Sequence, residues 1–484
     1  MKKIISGFCL LLQMTLSAQH HDRYWITGMN EFENTPGFGN VLIRFDQDSF
    51  SLLPTDIAMH FESTMASMSD SAGNLLFVTN GCHIVNRFGD TIPGGEVINP
   101  GEMHEWICGK TGYAVPKGAM ALPDPGYTNK YYLLHMGARY DPVKKQILGP
   151  FYYSHLDMST DNGIVTDANH ILVNGKFEPF SAVRHGNGRD WWLVVPEADS
   201  NRYFIYLLDP QGISGPEVQE IGAVMRCTRP GTSAFSLQGD RFARAHNCSV
   251  QVFKFDRCSG ILFDPLLMSL PSKTVGGGGV AFSPDGTKLF TCSHLNIYQA
   301  DLTIDQPSLD TAIIWDTQWG ISIRHMQNAP GGSIWLNHMH RAAYYSIINS
   351  PNEIGQNIQF LPKITMPVYS VRTLPNNPNY RLYDVPDAFC DSLGINAPTS
   401  STYVLSEWQD IQIVPNPATN TISVSGIQNQ TEWQVYSAEG RLINKGITDS
   451  SVFSIPVSQW PQGIYFLRIM KHNNVLIKKF IVTR

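Results

Sequence analysis

Five short polar segments of this chain each hold histidine, the commonest metal ligand and the side chain that titrates closest to neutral pH. They are NGCH with His83, LHMGAR with His135, AHNC with His246, CSHL with His294, and NHMHR with His338 and His340. On an extended backbone, residues two apart face the same way, so His338 and His340 are the pair expected to centre any metal site. Asn337 or a neighbouring segment would have to complete it. A sixth segment, PEADSN, carries Glu197 and Asp199, paired acids of the kind a hydrolase or lyase uses.

Other chemistry is poorly served. The chain has no GxSxG elbow, HExxH helix, Walker loop or dinucleotide fingerprint. The stretch DNGIVTD at 161–167 lacks the residue order of a calcium loop. GGGG at 276–279 precedes a strand, not a helix, so it is no phosphate loop. SMSDSAGNLLF and FSPDGTKLF resemble the Asp-box of sialidases, in which Asp and Gly shape a hairpin turn without doing chemistry. Trp191 and Trp192 alternate faces of one strand, which suits one to the core and the other to packing between blades; a sugar-stacking platform is the alternative.

The elements that hold these residues repeat. AFSPDGTKLFTCSH at 281–294 aligns with AFSLQGDRFARAHN at 234–247, a strand, a glycine turn and a strand. The turn glycines at 73, 126, 188, 239, 286 and 332 are 53, 62, 51, 47 and 46 residues apart, the period of propeller blades. A second hairpin half follows each unit, as in VQVFKFDRCSG and NIYQADL. YWITG and NVLIRFD near the start, with VYSVRTL at 368–374, supply a seventh blade shared between the chain ends. Seven blades are expected; six and eight stay open.

With strands A to D in each blade, the histidine segments are the B–C turns, which open with the D–A connections on one face. Turns at mid-radius on opposite blades are too far apart to share an ion at bond lengths of about 2 Å. The plainer expectation is therefore solvated turn histidines and no cofactor. Two classes of function remain. One is a non-catalytic module that binds a surface glycan or protein on that face; the other is a surface hydrolase or lyase using a metal or paired acids there. The lack of a nucleophile or metal motif favours the first.

SDSAGNLLFVTNGCHIVNRFGDTIPGG, FYYSHLDMSTDNGIV, SAVRHGNGRDWWLVV, GVAFSPDGTKLF and LPNNPNYRLYDVPDAFCDSLG occur in that order. Together they resemble the WD-repeat-like propeller region of large bacterial surface proteins, which implies an architecture and a location but no activity. The expected cysteine shortly before Phe360 is missing, which leaves the pairing of Cys390 open.

Lys2 and Lys3 precede an apolar run from Ile4 to Leu16 and then LSAQ, a secretory signal over residues 1–18. No later segment is apolar enough to span a bilayer. Removal of the signal leaves 33 basic and 41 acidic residues, a charge of −8 without a basic block, which argues against nucleic acid as a partner. Seven cysteines remain, an odd number. Blade geometry brings Cys227 to Cys248 and Cys82 to Cys108 on the B–C face. It excludes Cys248 with Cys258, because ten residues of strand span about 33 Å.

The tail is the most legible part. IVPNPATNTISV at 413–424, WQVYSAEGRLI at 433–443 and the final GIYFLRIMKHNNVLIKKFIVTR alternate as short strands of a small sandwich. In order and spacing they resemble the C-terminal sorting domain of cargo of the type IX (Por) secretion system. The expected organisation is a propeller over 22–391, a polar linker over 392–410 and an Ig-like sorting domain over 411–484. The resemblance implies the type IX machinery as a partner and an extracellular or outer-surface location.

Overall fold

The computed structural model describes residues 19–29, 38–46, 49–141, 145–225, 230–271, 277–293, 296–314, 323–338, 343–368, 372–386, 388–393, 395, 411–426, 431–437, 442–471 and 474–484. The chain divides into two compact units, Met1–Ala397 and Pro398–Arg484.

Among the described residues, the first unit is built from seven antiparallel sheets. Blade 1 holds Tyr24–Met29, Gly39–Asp46 and Ser49–Pro54, and blade 2 holds Ala66–Ser69, Leu75–Thr79 and Ile84–Asn86. Blades 3 to 7 each have four strands in sequence order. They open with Ala119–Pro123, Ser181–Arg184, Pro230–Phe235, Gly277–Phe282 and Ile323–Asn328. These inner strands are short and mostly buried on both faces; in Ser181–Arg184 all four residues are buried. The outermost strands alternate with solvent, as in Phe360–Thr365.

Each A–B hairpin is set by local chemistry. In blade 6 the Asp285 carboxylate accepts from the Thr287 amide at 3.0 Å, and the Gly286 amide donates to Ser283 O at 2.9 Å. Gly286 has φ +72°, a conformation that favours glycine. The Asp-box-like residues thus shape a turn.

Apolar side chains seal each gap between blades. Phe151 meets Phe180 between blades 3 and 4, and Tyr203 meets Phe253 between blades 4 and 5. The ring closes where Trp335 of blade 7 packs edge-on against Trp25 of blade 1, centroids 5.5 Å apart. In blade 1 the three ladder strands among the described residues come from the N-terminal side, and the middle of VYSVRTL, residues 369–371, lies outside the described residues. Residues 372–379 form no ladder, although Thr373 lies beside Thr27 on the inner side of that blade.

The second unit pairs a three-stranded sheet, containing Thr421–Ser425, with a four-stranded sheet, containing Gly463–Lys471 and Asn474–Val482. Ile422, Val424, Val435, Ile455, Leu467 and Phe480 fill the space between the sheets. This is the sandwich expected from the alternating pattern of the tail.

Candidate functional site

The histidines of the B–C segments lie deeper than turn residues do. His135 is fully buried within Lys130–Asp141, its ring between Asn99 Oδ1 at 2.7 Å and Ser154 Oγ at 3.0 Å. His338 ends Ile334–His338, is also fully buried, and contacts Ser346 Oγ at 2.9 Å through Nε2. Burial pulls both imidazoles down to a pKa of about 3. His83 is half-buried and also titrates lower than usual, through burial and then through the neighbouring His104 and His60. The expectation of solvated turn histidines is corrected at His135, His246 and His338, because each lies on the second strand of its blade, buried where the blades pack: His246 and His338 end their strands and His135 sits within Lys130–Asp141. His294 and His340 lie outside the described residues.

Asn337, expected as a further ligand, has its amide engaged twice. Its Oδ1 accepts from the His325 amide at 2.8 Å, and its Nδ2 donates to the Arg372 carbonyl. Glu197 is ion-paired with Arg202 at 3.3 Å, and Asp199 is exposed on a left-handed turn with φ +57°. The acid that does approach a histidine is Glu178, which the sequence did not single out. Its Oε2 meets His246 Nε2 at 2.9 Å and Arg244 Nε at 2.7 Å, all three groups buried. Burial opposes ionisation of Glu178, but the Arg244 charge and the two hydrogen bonds outweigh it and hold the carboxyl low.

The centre of the ring is filled by the chain itself. Thr373 O accepts from Tyr345 OH of blade 7 at 2.8 Å. Asn376 donates to Lys117 O at 3.1 Å and to Phe180 O at 2.8 Å, before blades 3 and 4. Asn379 donates to Leu237 O of blade 5 at 2.7 Å, and Tyr380 OH to Ala121 O of blade 3 at 2.7 Å. Arg381 forks onto Asp22 at 2.6 and 2.9 Å. A segment that touches blades 1, 3, 4, 5 and 7 runs along the axis, from the B–C face toward the A–B face. Beside it Lys117 is buried, with Nζ on Gln327 Oε1 at 2.7 Å; burial lowers its pKa to about 7.

On the B–C face a helical turn, Glu102–Ile107, lies in the connection from blade 2 to blade 3. Met103 and Ile107 are buried beneath it, and Trp106 points outward, 56% exposed. Cys108 at its end is bridged to Cys82, Cα atoms 5.5 Å apart. The His104 Nδ1 bonds Ile98 O at 2.8 Å. The two sulfurs and the His104 ring lie within 4.8 Å of one another, but the disulfide leaves no thiolate to hold an ion. Sequence reasoning passed over Trp106 because one tryptophan in an irregular connection has no periodicity to mark it. Trp191, by contrast, is fully buried under Arg184, and Trp192 is half-buried with Nε1 on Arg257 O at 2.8 Å.

Of the other cysteines, Cys258 is bridged to Cys390, the pairing left open by the sequence, and Cys292 is free and buried. Cys248 is disulfide-bonded; Cys227, its expected partner, lies outside the described residues.

None of the curated proteins compared with the chain matches it. Among solved structures it is similar to a putative 6-phosphogluconolactonase from Bacteroides uniformis, with 14% identity, a TM-score of 0.46, and 71% of this chain and 97% of that one covered. It is similar to the periplasmic gluconolactonase PpgL of Pseudomonas aeruginosa, with 13% identity, a TM-score of 0.41 and coverage of 71% and 97%. It is also similar to PorZ, a surface component of the type-IX secretion system of Porphyromonas gingivalis, with 10% identity, a TM-score of 0.31 and coverage of 95% and 70%. Likenesses this slight do not say what the chain binds. The tail is different, because residues 412–483 match the family described as the secretion system C-terminal sorting domain. The chain is thus a type IX secretion cargo, a β-propeller followed by a C-terminal sorting domain and destined for the cell surface or for release.

Proposed function

We propose that this protein is a non-catalytic binding module displayed at the cell surface, which engages a glycan or protein ligand through the B–C face of its propeller. One observation carries the reading: a disulfide-pinned helical turn holds Trp106 out into solvent. An aromatic ring on a rigid support offers a large contact area at little cost in conformational entropy, which is why tryptophan anchors so many interfaces. Several of the groups that catalysis would need are otherwise engaged. His135, His246 and His338 hydrogen-bond within the core, and Glu197 faces Arg202. Among the described residues, 372–384 occupy the axis of the ring, where a small substrate would otherwise enter.

The test compares wild type and Trp106→Ala for binding to soluble oligosaccharides and to isolated outer-membrane proteins. The variant is expected to bind about 30-fold more weakly, the loss typical of an anchor residue worth about 2 kcal/mol. Its melting midpoint is expected to stay at the wild-type value. Equal binding by the two proteins would place the contact elsewhere, and turnover of an oligosaccharide would reverse the choice between binding module and hydrolase.

A further inference from the structure

The bridge beneath the Trp106 turn has a third group of ligand type beside it. The sulfurs of Cys82 and Cys108 and a ring nitrogen of His104 lie within 4.8 Å of one another. Among the described residues no other three His, Cys, Asp or Glu side chains converge in this way. The spacing in the chain serves the convergence. His104 and Cys108 are four residues apart on the turn and its cap, with Cys108 N on His104 O, so their side chains share one face. Cys82 approaches from the connection that follows Leu75–Thr79.

Ile98 ties the two sides together. Its amide donates to Cys82 O at 2.7 Å, and its carbonyl meets His104 Nδ1 at 2.8 Å. A carbonyl only accepts, so Nδ1 carries the proton and Nε2 of the neutral ring keeps its lone pair. A backbone carbonyl on the far nitrogen is the arrangement that orients imidazoles on metal ions. In the oxidised protein the bridge occupies both sulfurs and no ion binds. Cys82 is buried, but Cys108 and His104 are half-buried, which gives a small thiol access to the bridge from the Cys108 side.

We infer that, once the Cys82–Cys108 bridge is reduced, its two thiolates and His104 Nε2 bind one zinc ion, which pins the turn in place of the disulfide. Two thiol reductants give two electrons to the bridge and leave joined as a disulfide. The two cysteine thiols then release their protons as the ion binds. Sulfur and imidazole ligands suit zinc, and tetrahedral coordination leaves the fourth position to water. With bonds of about 2.3 Å to sulfur and about 2.0–2.1 Å to nitrogen, the ligand atoms of such an ion lie roughly 3.5–3.8 Å apart. The sulfurs must part to reach that spacing, which the bridge forbids and its reduction permits. The site goes beyond the binding reading and stands apart from it, since zinc binds here whether or not Trp106 touches a ligand.

The test takes the full mature chain, oxidised or reduced with a thiol that is then removed without air, and adds zinc chloride near neutral pH. Elemental analysis after dialysis is expected to find one zinc per reduced chain and none per oxidised chain. Zinc is expected to raise the melting midpoint of the reduced chain alone. Cobalt(II) in place of zinc is expected to give the absorption of a tetrahedral thiolate site. His104→Gln keeps every cysteine, and its oxidised form is expected to melt at the wild-type midpoint. When reduced it is expected to bind zinc at least about 100-fold more weakly, because losing only a ligand's hydrogen-bond partner already costs about 10–100-fold. Three results overturn the proposal. One is a reduced wild type that takes up no zinc and shows no cobalt–thiolate absorption. Another is zinc kept at full stoichiometry by the reduced double variant Cys82→Ser with Cys108→Ser, which puts the ion on other thiols. The third is wild-type zinc affinity in reduced His104→Gln, which removes the imidazole from the site.

Discussion

Arg244 on blade 5 places its Nε 2.7 Å from Oε2 of Glu178, a residue leading into blade 4, and both side chains are buried. The guanidinium also donates to the carbonyls of Glu197 and Ser200, each at 2.9 Å, so one side chain ties two blades together at three points. His246 approaches the same carboxylate oxygen from the strand that carries Arg244. Glu178→Gln is expected to cost about 3–5 kcal/mol, because it leaves the Arg244 charge buried without its counter-charge. Glu178→Gln with Arg244→Met is expected to cost less than the sum of the two single changes. Urea melts of the three variants measure both effects.

The buried imidazoles set a pH dependence with a definite sign. His135 and His338 are held to about 3 when folded, against an ordinary value of about 6.5. The unfolded chain therefore binds more protons between those values. Stability from these groups is complete above about pH 6.5 and is lost progressively as pH falls toward about 3. Each group contributes on the order of 2 kcal/mol between pH 6.5 and 5, at 1.36 kcal/mol per pH unit. Melting midpoints are expected to drop over that interval, and to drop less for His338→Gln. An unchanged slope in that variant would mean the ring is not buried as described.

The axial segment offers a third measurement. Asn376→Ala removes the donor from two buried carbonyls, those of Lys117 and Phe180. A loss of about 1–3 kcal/mol per stranded carbonyl is expected. Tyr380→Phe strands Ala121 O alone and is expected to cost about half as much. Chemical denaturation that finds either variant as stable as wild type would show that the segment does not hold the ring.

Deletion of residues 411–484 removes the sorting domain and none of the propeller core. The shortened chain is expected to fold and to accumulate in the periplasm. Cell fractionation with protease shaving reads this directly; surface exposure equal to that of the full chain would mean another signal drives sorting.

The propeller was legible because each blade repeats one local decision. The turns at Gly73, Gly239 and Gly286 carry φ of +86°, +74° and +72°, which only glycine adopts readily, so their spacing appears in the sequence. Gly126 shows where the rule stops: it lacks a left-handed φ, and Asn129 at +61° turns the chain there. The axial segment had no such signature. Arg381 meets Asp22 across 359 residues, and no periodicity reports a partner so distant. His246 and His338 fall at strand ends beside the expected turns but are buried, because a B–C turn and the last buried residue before it differ by one position, whereas His135 lies within a strand that runs on to Asp141. Trp106 was missed because a lone tryptophan in an irregular connection carries no periodicity.

A load applied between a ligand on the propeller and the sorting domain enters the propeller at Cys390, which is bonded covalently to Cys258 of blade 5. Behind that bridge the axial segment is bonded to blades 1, 3, 4, 5 and 7. Tension therefore meets a covalent bridge first, and the hydrogen bonds of the axial segment behind it are spared, where a chain leaving from an unbridged outer strand would be peeled off one bond at a time. The bridge at the end of the axial segment makes the propeller a mechanical grip on its own tether.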